Sequence, residues 1–391
     1  MRKAIVNCRL FDGEQEHVGL AVIVEDGQIV DIVDEKVAES LADEAVDCDG
    51  LQLVPGFIDL QVNGGGGVLF NDAPTVDTLR TIVAAHRPLG TTACLPMLIT
   101  DDPETMRAAI DAVREAIGQG VPGVIGIHLE GPHLNPERRG VHDASQMRGL
   151  DGQALELLSS LEIGRTIVTL APERVIGESI RQLTERGVRV FAGHSAATYD
   201  EVRAAIDCGL IGFTHLFNAM SQLTSREPGV VGAALDDPTT FAGVIADGHH
   251  VHRASLGIAL RAKPRGKVFL VTDAMPTVGS DTKTFTLSSG SVTELLSSVT
   301  DPELAGRCVT EDGTLAGSSI GMIDAVKYLV RSGLVELDEA LRMASLYPAA
   351  ALGVEDRYGR IKPGYRANLL ALDEDLNVAR SFIDGELERF G

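Results

Sequence analysis

Four side chains that could carry out hydrolytic chemistry each follow a short apolar run. Glu130, His194 and His215 end runs that predict buried strands, and Asp273 ends a fourth. An unpaired carboxylate at the end of a buried strand is costly, so Glu130 requires a partner. Two imidazoles and one carboxylate form a suitable set for a catalytic divalent metal ion such as zinc. Asp273 would then act as a general base towards water and pass the proton to a leaving group.

Each of these residues also has a simpler interpretation. Glu130 could belong to an ordinary buried ion pair, and either histidine could be a hydrogen-bonded structural residue. Their recurrence at the ends of predicted strands, followed by Asp273, favours the metal site.

The elements that must position these side chains alternate between strands and helices. Because strand–helix alternation implies a parallel sheet, and polar residues end strand after strand, we predict an α/β fold with a closed (β/α)₈ TIM-type barrel. A doubly wound open sheet is the alternative, but it would gather its ligands at one switch point. Strands are predicted at residues 57–63, 91–98, 124–130, 166–170, 188–192, 211–214, 241–246 and 268–272, and helices at 76–87, 104–117, 155–161 and 180–185.

Both ends of the chain predict additional β-structure. Residues 20–24 and 29–33 flank an Asp-Gly turn signal and predict a hairpin in a small antiparallel unit. In the tail, strands are predicted at residues 358–361, 367–372 and 382–385 and are expected to pair with the N-terminal strands. We therefore expect a small β-sandwich domain formed by residues 1–54 and 356–391, and a catalytic barrel formed by residues 55–355.

Composition limits the kind of partner and compartment. The 391 residues carry a formal net charge of -22, which argues against a nucleic-acid groove. No apolar segment approaches the length of a membrane span, and the N-terminal apolar run is broken too early for a signal peptide. The five cysteines are scattered, as expected of reduced residues. We predict a cytoplasmic protein that binds neither nucleic acid nor membrane.

The motifs around the candidate residues resemble the amidohydrolase superfamily. This resemblance is carried by Pro-Gly-Phe-Ile-Asp at residues 55–59, by the strand-end residues, by Thr-Asp-Ala at 272–274 and by the closing residues 359–369. More narrowly, the chain is similar to the N-acetylglucosamine-6-phosphate deacetylases. The narrower similarity lies in His-Leu-Glu-Gly-Pro at 128–132, Gly-His-Ser at 193–195, Thr-His-Leu-Phe-Asn-Ala-Met at 214–220, Arg-Glu-Pro-Gly at 226–229 and Ile-Ala-Asp-Gly-His-His at 245–250.

The resemblance implies a metal-dependent hydrolase of amino-sugar catabolism and cell-wall sugar recycling. Its reaction would remove the N-acetyl group of N-acetylglucosamine 6-phosphate and yield glucosamine 6-phosphate and acetate. The resemblance assigns the metal to Glu130, His194 and His215, and proton transfer to Asp273. It assigns the sugar and its carbonyl to His142 and His250, and the phosphate to Asn218, Ala219 and Arg226.

The sequence departs from many amidohydrolases at the end of the first barrel strand. A His-x-His motif there binds a second metal ion, whereas this chain has Gln61 and Asn63. Neutral amides are poor ligands beside imidazole, so we predict one divalent ion per subunit. Zinc is the first choice, with Fe²⁺, Mn²⁺ and Co²⁺ as alternatives. The resemblance also implies a homodimer in which Arg226 reaches the neighbouring active site.

Two other functions would fit parts of the same sequence pattern. A cyclic-amide or N-acyl-amino-acid hydrolase would keep the fold but would not need residues 226–229. A non-catalytic scaffold would have lost a metal ligand or Asp273, and none is lost here. The acceptance of other N-acetylhexosamine 6-phosphates is left open, as are the roles of Arg138, Arg139, His133 and His249.

Overall fold

The computed structural model describes residues 1–287, 290–295 and 306–390. Within these ranges, eight parallel strands form one sheet in their order along the chain. The Asp273 N–H donates to the Gln61 carbonyl over 3.0 Å, and Val62 bridges Ala274, so the last strand meets the first and the sheet closes. The predicted (β/α)₈ barrel is confirmed. The barrel strands are Phe57–Val62, Thr91–Ile99, Gly126–Glu130, Arg165–Leu170, Arg189–Ala192, Gly212–Phe213, Phe241–Ile245 and Val268–Val271.

Amphipathic helices cover the barrel. The helix Pro103–Gly118 illustrates their construction, because Asp102 caps its first turn and Met106, Ile110 and Val113 are buried against the strands. A capping box between Thr198 and Glu201 starts another helix in the same way. The helices described are Val76–His86, Pro103–Gly118, Gly152–Leu158, Gly177–Glu185, Tyr199–Asp207, Gly229–Asp236, Arg253–Ala262, Met322–Arg331, Leu337–Ala344 and Leu346–Leu352, with the short Glu35–Ala38 near the N-terminus.

One predicted helix is shifted along the chain. The sequence predicts residues 155–161, whereas the structure has Gly152–Leu158. Asp151 accepts a hydrogen bond from the backbone N–H of Ala154 and so starts the helix earlier. Ser159 follows the last turn, and its hydroxyl donates to the Leu155 carbonyl. The apolar pattern locates the helix, but the cap fixes its start.

Strands from both chain ends form two further sheets. The expected pairing of the ends is confirmed, since Gln52–Pro55 pairs with Leu369–Leu372. The expectation of a purely antiparallel unit is wrong, because Arg2–Val6 runs parallel to Glu44–Asp47. Ile5 and Val22 of one sheet pack with Phe382 of the other in a shared core. The first sheet is Gln28–Asp34, Leu20–Glu25, Arg2–Val6 and Glu44–Asp47, and the second is Glu386–Arg389, Val378–Ile383, Leu369–Leu372, Gln52–Pro55, Arg9–Phe11 and Glu16–Val18.

The predicted strand at residues 358–361 is wrong. This segment forms bends, and Gly359 has a φ of +85°. A Cβ at Gly359 would lie 2.8 Å from the Leu346 Cα, so the backbone packs too closely for another residue type. The apolar Ile361 still joins the β-sandwich core, which explains why its sequence looks like part of a strand.

A sheet that the sequence pattern did not predict follows the last barrel strand. Its strands are Thr284–Leu287, Gly290–Leu295, Arg307–Thr310 and Leu315–Ser318. Ser318 bridges Ala274, which ties this sheet to the barrel next to Asp273. A short hairpin of Gly64–Gly65 and Val68–Leu69 follows the first barrel strand. Among the described residues, none of the helices combines the length and apolar character needed to cross a bilayer.

Candidate active site

Glu130, His194 and His215 converge at the C-terminal end of the barrel. Nε2 of His215 lies 2.9 Å from Glu130 Oε1, and Nε2 of His194 lies 3.4 Å from the same oxygen. The two Nε2 atoms are 3.1 Å apart, and all three side chains are buried. The structure therefore brings together the three residues that the sequence nominates as metal ligands.

The hydrogen bonds around these side chains fit a divalent metal ion. Nδ1 of His194 lies 2.8 Å from the Arg138 carbonyl, which can only accept, so the ring proton is on Nδ1. Nε2 of His194 is left with a lone pair directed at Glu130 and His215. Three candidate donor atoms lie within 4.8 Å of one another, a set that zinc and similar cations prefer.

The two carboxyl groups of the site have pKa values displaced in opposite directions. Burial raises the pKa of Glu130, but the close imidazole groups of His142, His194 and His215 outweigh it and hold this pKa well below its usual value. Burial and the nearby charge of Glu130 raise the pKa of Asp273. A fixed carboxylate beside a more basic carboxylate is the division of roles expected for a metal ligand and a general base.

His142 contacts Oε2 of Glu130, whereas His194 and His215 face Oε1. The backbone N–H of Thr100 donates to His142 Nδ1 over 3.3 Å, so the ring proton is on Nε2. Nε2 lies 3.4 Å from Glu130 Oε2. Burial, with the nearby charge of His194, lowers the pKa of His142 to about 4, so its ring is neutral at pH 7.

The backbone at the site residues is conformationally unusual. His194, His215 and Asp273 have φ values of +48°, +32° and +54°. Non-glycine residues rarely adopt this left-handed region, so the surrounding fold must hold them there. For Asp273, the preceding Thr272 donates from Oγ1 to Asp59 Oδ2 over 2.5 Å, and Asp59 is fully buried.

A cavity of about 520 Å³ opens above the three candidate ligands. His250 contributes to its wall, and the His250 Nδ1–H donates to Asp247 Oδ2 over 2.6 Å. Arg226 is exposed and does not belong to this wall. Of the residues predicted to contact substrate or metal, the wall includes Glu130, His194, His215, Asp273, Asn63, His142, His250, Asn218 and Ala219.

Of the two neutral amides at the end of the first barrel strand, Asn63 contacts the Asp273 carboxylate. Asn63 donates from Nδ2 to Asp273 Oδ1 over 2.8 Å. Gln61 is 2% exposed, and its Nε2 makes no hydrogen bond to any described residue. Oδ1 of Asn63, the acceptor atom of the amide, is buried and makes no hydrogen bond to a described residue.

Of the four residues without a predicted role, Arg138 lines the cavity and the other three do not. Burial lowers the pKa of His133 to about 4, and its Nδ1 bonds the Arg148 carbonyl, which is a structural arrangement. His249 is absent from the cavity wall, as is Arg139. Arg138 contributes to the wall, in addition to the carbonyl that it offers to His194.

Some residues that support the site have no role that the sequence predicts. Asp247 follows the run at 241–246, and the strand-end pattern that found Asp273 could have found it too. Thr100 and Asp59 carry no such signal, because their contacts to His142 and Thr272 join distant segments. Thr314 and Leu315 reach the cavity from the sheet that was not predicted.

Comparison with known proteins places this geometry in context. The model of the amidohydrolase family matches residues 52–387. An N-acetylgalactosamine-6-phosphate deacetylase from Shewanella sp. (strain ANA-3) is 45% identical over 86% of this chain and 82% of its own length. An N-acetylglucosamine-6-phosphate deacetylase from Haemophilus influenzae is 33% identical over 99% of each chain. The crystal structure of N-acetylglucosamine-6-phosphate deacetylase from Pasteurella multocida superposes with a TM-score of 0.93, at 36% identity and full coverage of both chains.

Proposed function

Because the chain belongs to the amidohydrolase family, we propose that it hydrolyses N-acetylglucosamine 6-phosphate to glucosamine 6-phosphate and acetate. Curated relatives over most of the chain bear this activity as their name. The observation that carries the proposal is the convergence of Glu130, His194 and His215 in one cavity with Asp273. Amide hydrolysis needs an electrophilic catalyst, a base and an acid, and these four residues can supply them when a metal ion is bound.

Glu130, His194 and His215 would hold the metal ion. When bound there, a divalent cation supplies Lewis acidity towards the acetamide carbonyl. We propose one such ion per subunit, and zinc as its identity. The proposal of a single ion is supported by the neutral amides at Gln61 and Asn63, since an amide is a poorer metal ligand than imidazole.

Asp273 moves the proton in this mechanism. It accepts one proton from the attacking water, whose oxygen forms a bond to the acetamide carbon. It then gives that proton to the sugar nitrogen as the C–N bond breaks, so acetate and a free amine leave. The raised pKa of Asp273 makes its carboxylate a stronger base towards water, and the protonated carboxyl group is still acidic enough to protonate an amine leaving group.

The remaining residues of the cavity would orient the substrate. His142 is neutral with its proton on Nε2, and His250 is held by Asp247, so both rings are fixed in place. Asn218 and Ala219 would contact the phosphate from the cavity wall. These roles follow the family resemblance and the position of each residue.

We further propose a homodimer in which Arg226 completes the site of the neighbouring subunit. Arg226 is exposed and absent from the cavity wall of its own chain, which fits a role in the second subunit. In a protein of net charge -22, a phosphate site needs a dedicated cation. We also propose a cytoplasmic location, supported by five cysteines that are all unpaired.

N-acetylgalactosamine 6-phosphate is the second candidate substrate. It is favoured by the 45% identity to the Shewanella enzyme and by a 37% identical relative of the same name from Escherichia coli O157:H7. The two sugars differ only in the configuration at C4, so one site can serve both with the same chemistry at the acetamide.

Acetate release tests the proposed function. The enzyme would be assayed with the 6-phosphates of N-acetylglucosamine and N-acetylgalactosamine, and with both sugars lacking phosphate. We expect turnover of at least one phosphorylated sugar and much lower kcat/KM for its dephosphorylated form. Equal activity on unphosphorylated amides, or on cyclic amides and N-acyl-amino acids instead, would contradict the proposal. The ratio of the two phosphorylated substrates decides between the two candidates.

A further inference from the structure

A chain of hydrogen-bonded side chains lies inside the barrel, below the candidate ligands. It consists of His128, Thr169 and Thr214, each of which is at most 1% exposed. His128 Nε2 lies 2.7 Å from Thr169 Oγ1, and Thr169 Oγ1 lies 2.6 Å from Thr214 Oγ1. Nδ1 of His128 lies 2.8 Å from the Leu60 carbonyl. These hydrogen bonds connect the third barrel strand, which carries His128, to the first strand through Leu60 and to the fourth strand through Thr169.

The direction of each hydrogen bond follows from the chemistry of the groups. The Leu60 carbonyl can only accept, so Nδ1 of His128 carries the ring proton. In the neutral ring, Nε2 therefore accepts, and the Thr169 hydroxyl must donate to it. Because the hydroxyl hydrogen of Thr169 is committed in this way, its oxygen accepts from Thr214. Thr169 is the central member, the one that both accepts and donates through a single hydroxyl.

The hydrogen-bonded side chains contact or belong to all three segments that carry the candidate ligands. His128 lies two residues before Glu130 on the same strand, and Thr214 directly precedes His215. Gly193 directly precedes His194, and a Cβ on Gly193 would lie 2.6 Å from Thr169 Cγ2. The backbone of this glycine therefore rests against Thr169. A displacement of Thr169 would be transmitted to each of the three ligands.

We propose that Thr169 is a positioning residue that, through its hydroxyl group, sets the spacing of Glu130, His194 and His215 for metal binding. This inference rests on the proposed metal-dependent function. The hydroxyl is required because its loss leaves Nε2 of His128 without a donor and the Thr214 hydroxyl without an acceptor, both in a buried place. The strand ends would then shift to relieve these unsatisfied groups. Groups that orient metal ligands typically change metal affinity by about 10- to 100-fold when they are removed.

Three substitutions on one strand separate the hydroxyl from the rest of the side chain. Thr169→Val keeps the shape and removes the hydroxyl, whereas Thr169→Ser keeps the hydroxyl and removes a methyl group. Thr166→Val is the matched control, because Thr166 lies on the same strand, is 6% exposed and makes no side-chain hydrogen bond to a described residue. Zn²⁺ affinity is measured on each metal-free protein by competition with a chromogenic chelator, with no substrate present.

We expect Thr169→Val to bind Zn²⁺ about 10- to 100-fold more weakly than the wild type. Thr169→Ser should remain within about threefold of the wild type, and so should Thr166→Val. Wild-type affinity in a folded Thr169→Val protein would overturn the inference, as would equal weakening in Thr169→Ser. If Thr169→Val does not fold, Thr214→Val takes its place, since it spares the donation to His128. We then expect a smaller but measurable weakening, and its absence would also overturn the inference.

The same experiment separates this inference from the proposed function. A wild-type protein that binds no Zn²⁺ and releases no acetate would contradict the proposed function. A wild-type protein that binds Zn²⁺ and is active, with Thr169→Val unchanged in affinity, would contradict only the positioning role of Thr169.

Discussion

Asn63 donates a hydrogen bond from Nδ2 to Oδ1 of Asp273 over 2.8 Å, at the point where the first and last barrel strands meet. A carboxylate only accepts hydrogen bonds, so the orientation of the Asn63 amide is determined. The contact holds Oδ1 of Asp273 and leaves Oδ2 for the proposed proton transfer. At a position where the family resemblance leads one to expect a metal-binding histidine, Asn63 thus contacts the proposed base instead.

The first prediction concerns Asp273. Asp273→Asn keeps the shape of the side chain but removes its ability to accept a proton, so kcat should fall by about 10²- to 10⁴-fold. Metal content should stay at the wild-type level, because Asp273 is not among the three proposed ligands. Steady-state kinetics and metal analysis of the same preparation check both parts. Near wild-type turnover would remove Asp273 from the mechanism.

The second prediction compares two arginines. Arg226→Ala removes a charge-assisted contact worth about 1.5–3 kcal/mol, so kcat/KM for the phosphorylated sugar should fall by about 10- to 150-fold. The unphosphorylated sugar should be little affected. Arg138→Ala is the control, since Arg138 lines the cavity of its own subunit. If Arg138→Ala alone loses the preference for phosphate, the phosphate site is built within one chain and Arg226 has no part in it.

The third prediction tests whether Arg226 acts across a dimer. Asp273→Asn and Arg226→Ala subunits are mixed under conditions that allow exchange. In a two-fold dimer with a trans arginine, one site of each mixed dimer carries both defects and the other carries neither. Because about half of the dimers are mixed, about a quarter of wild-type activity should return. Verified exchange without recovered activity would place Arg226 in its own subunit or outside the site.

The fourth prediction concerns the pH dependence of stability. Burial raises the pKa of Asp59 to about 7, whereas an unfolded chain titrates this group near its usual value. The folded protein therefore holds this proton over a range in which the unfolded chain has lost it. The contribution of Asp59 to stability is fully present below the unfolded pKa and is lost as the pH rises towards 7. The loss is on the order of 4 kcal/mol, at about 1.36 kcal/mol per pKa unit.

Asp59→Asn should remove this part of the pH dependence. Urea unfolding of the metal-free protein between pH 4 and 7 should give a flatter profile for Asp59→Asn than for the wild type. Asp26→Asn serves as the control, because the Asp26 side chain is 91% exposed. Parallel profiles for Asp59→Asn and the wild type would mean that burial of Asp59 does not displace its titration.

The sequence predicted the barrel and the convergence of the candidate ligands for a definite physical reason. The carboxyl ends of parallel strands meet on one face of a barrel, so Glu130, His194, His215 and Asp273 had to converge once each was placed at a strand end. His142 was assigned through the family resemblance, and the structure places it 3.4 Å from Glu130. The domain boundaries at residues 54/55 and 355/356 stay a prediction.

Other features could not be predicted from local sequence. Thr169 and Asp59 act through contacts to residues far away in the chain, and even the motif at residues 55–59 that contains Asp59 does not indicate its contact to Thr272. The sheet from Thr284–Leu287 to Leu315–Ser318 was missed because its short strands do not follow the barrel alternation. At residues 358–361, an apolar Ile361 suggested a strand, but the close approach of Gly359 to Leu346 imposes a bend.

Metal titration of the metal-free enzyme tests the central claim most directly. Zn²⁺ is added to the apoenzyme in sub-stoichiometric steps, and acetate release from N-acetylglucosamine 6-phosphate and N-acetylgalactosamine 6-phosphate is followed at each step. The account predicts that activity rises linearly and reaches its plateau at one equivalent per subunit, and that Glu130→Gln never reaches it. A plateau only at two equivalents would contradict the single-metal site. Full activity without metal, or no deacetylation of either sugar at any metal concentration, would contradict the metal-dependent deacetylase itself.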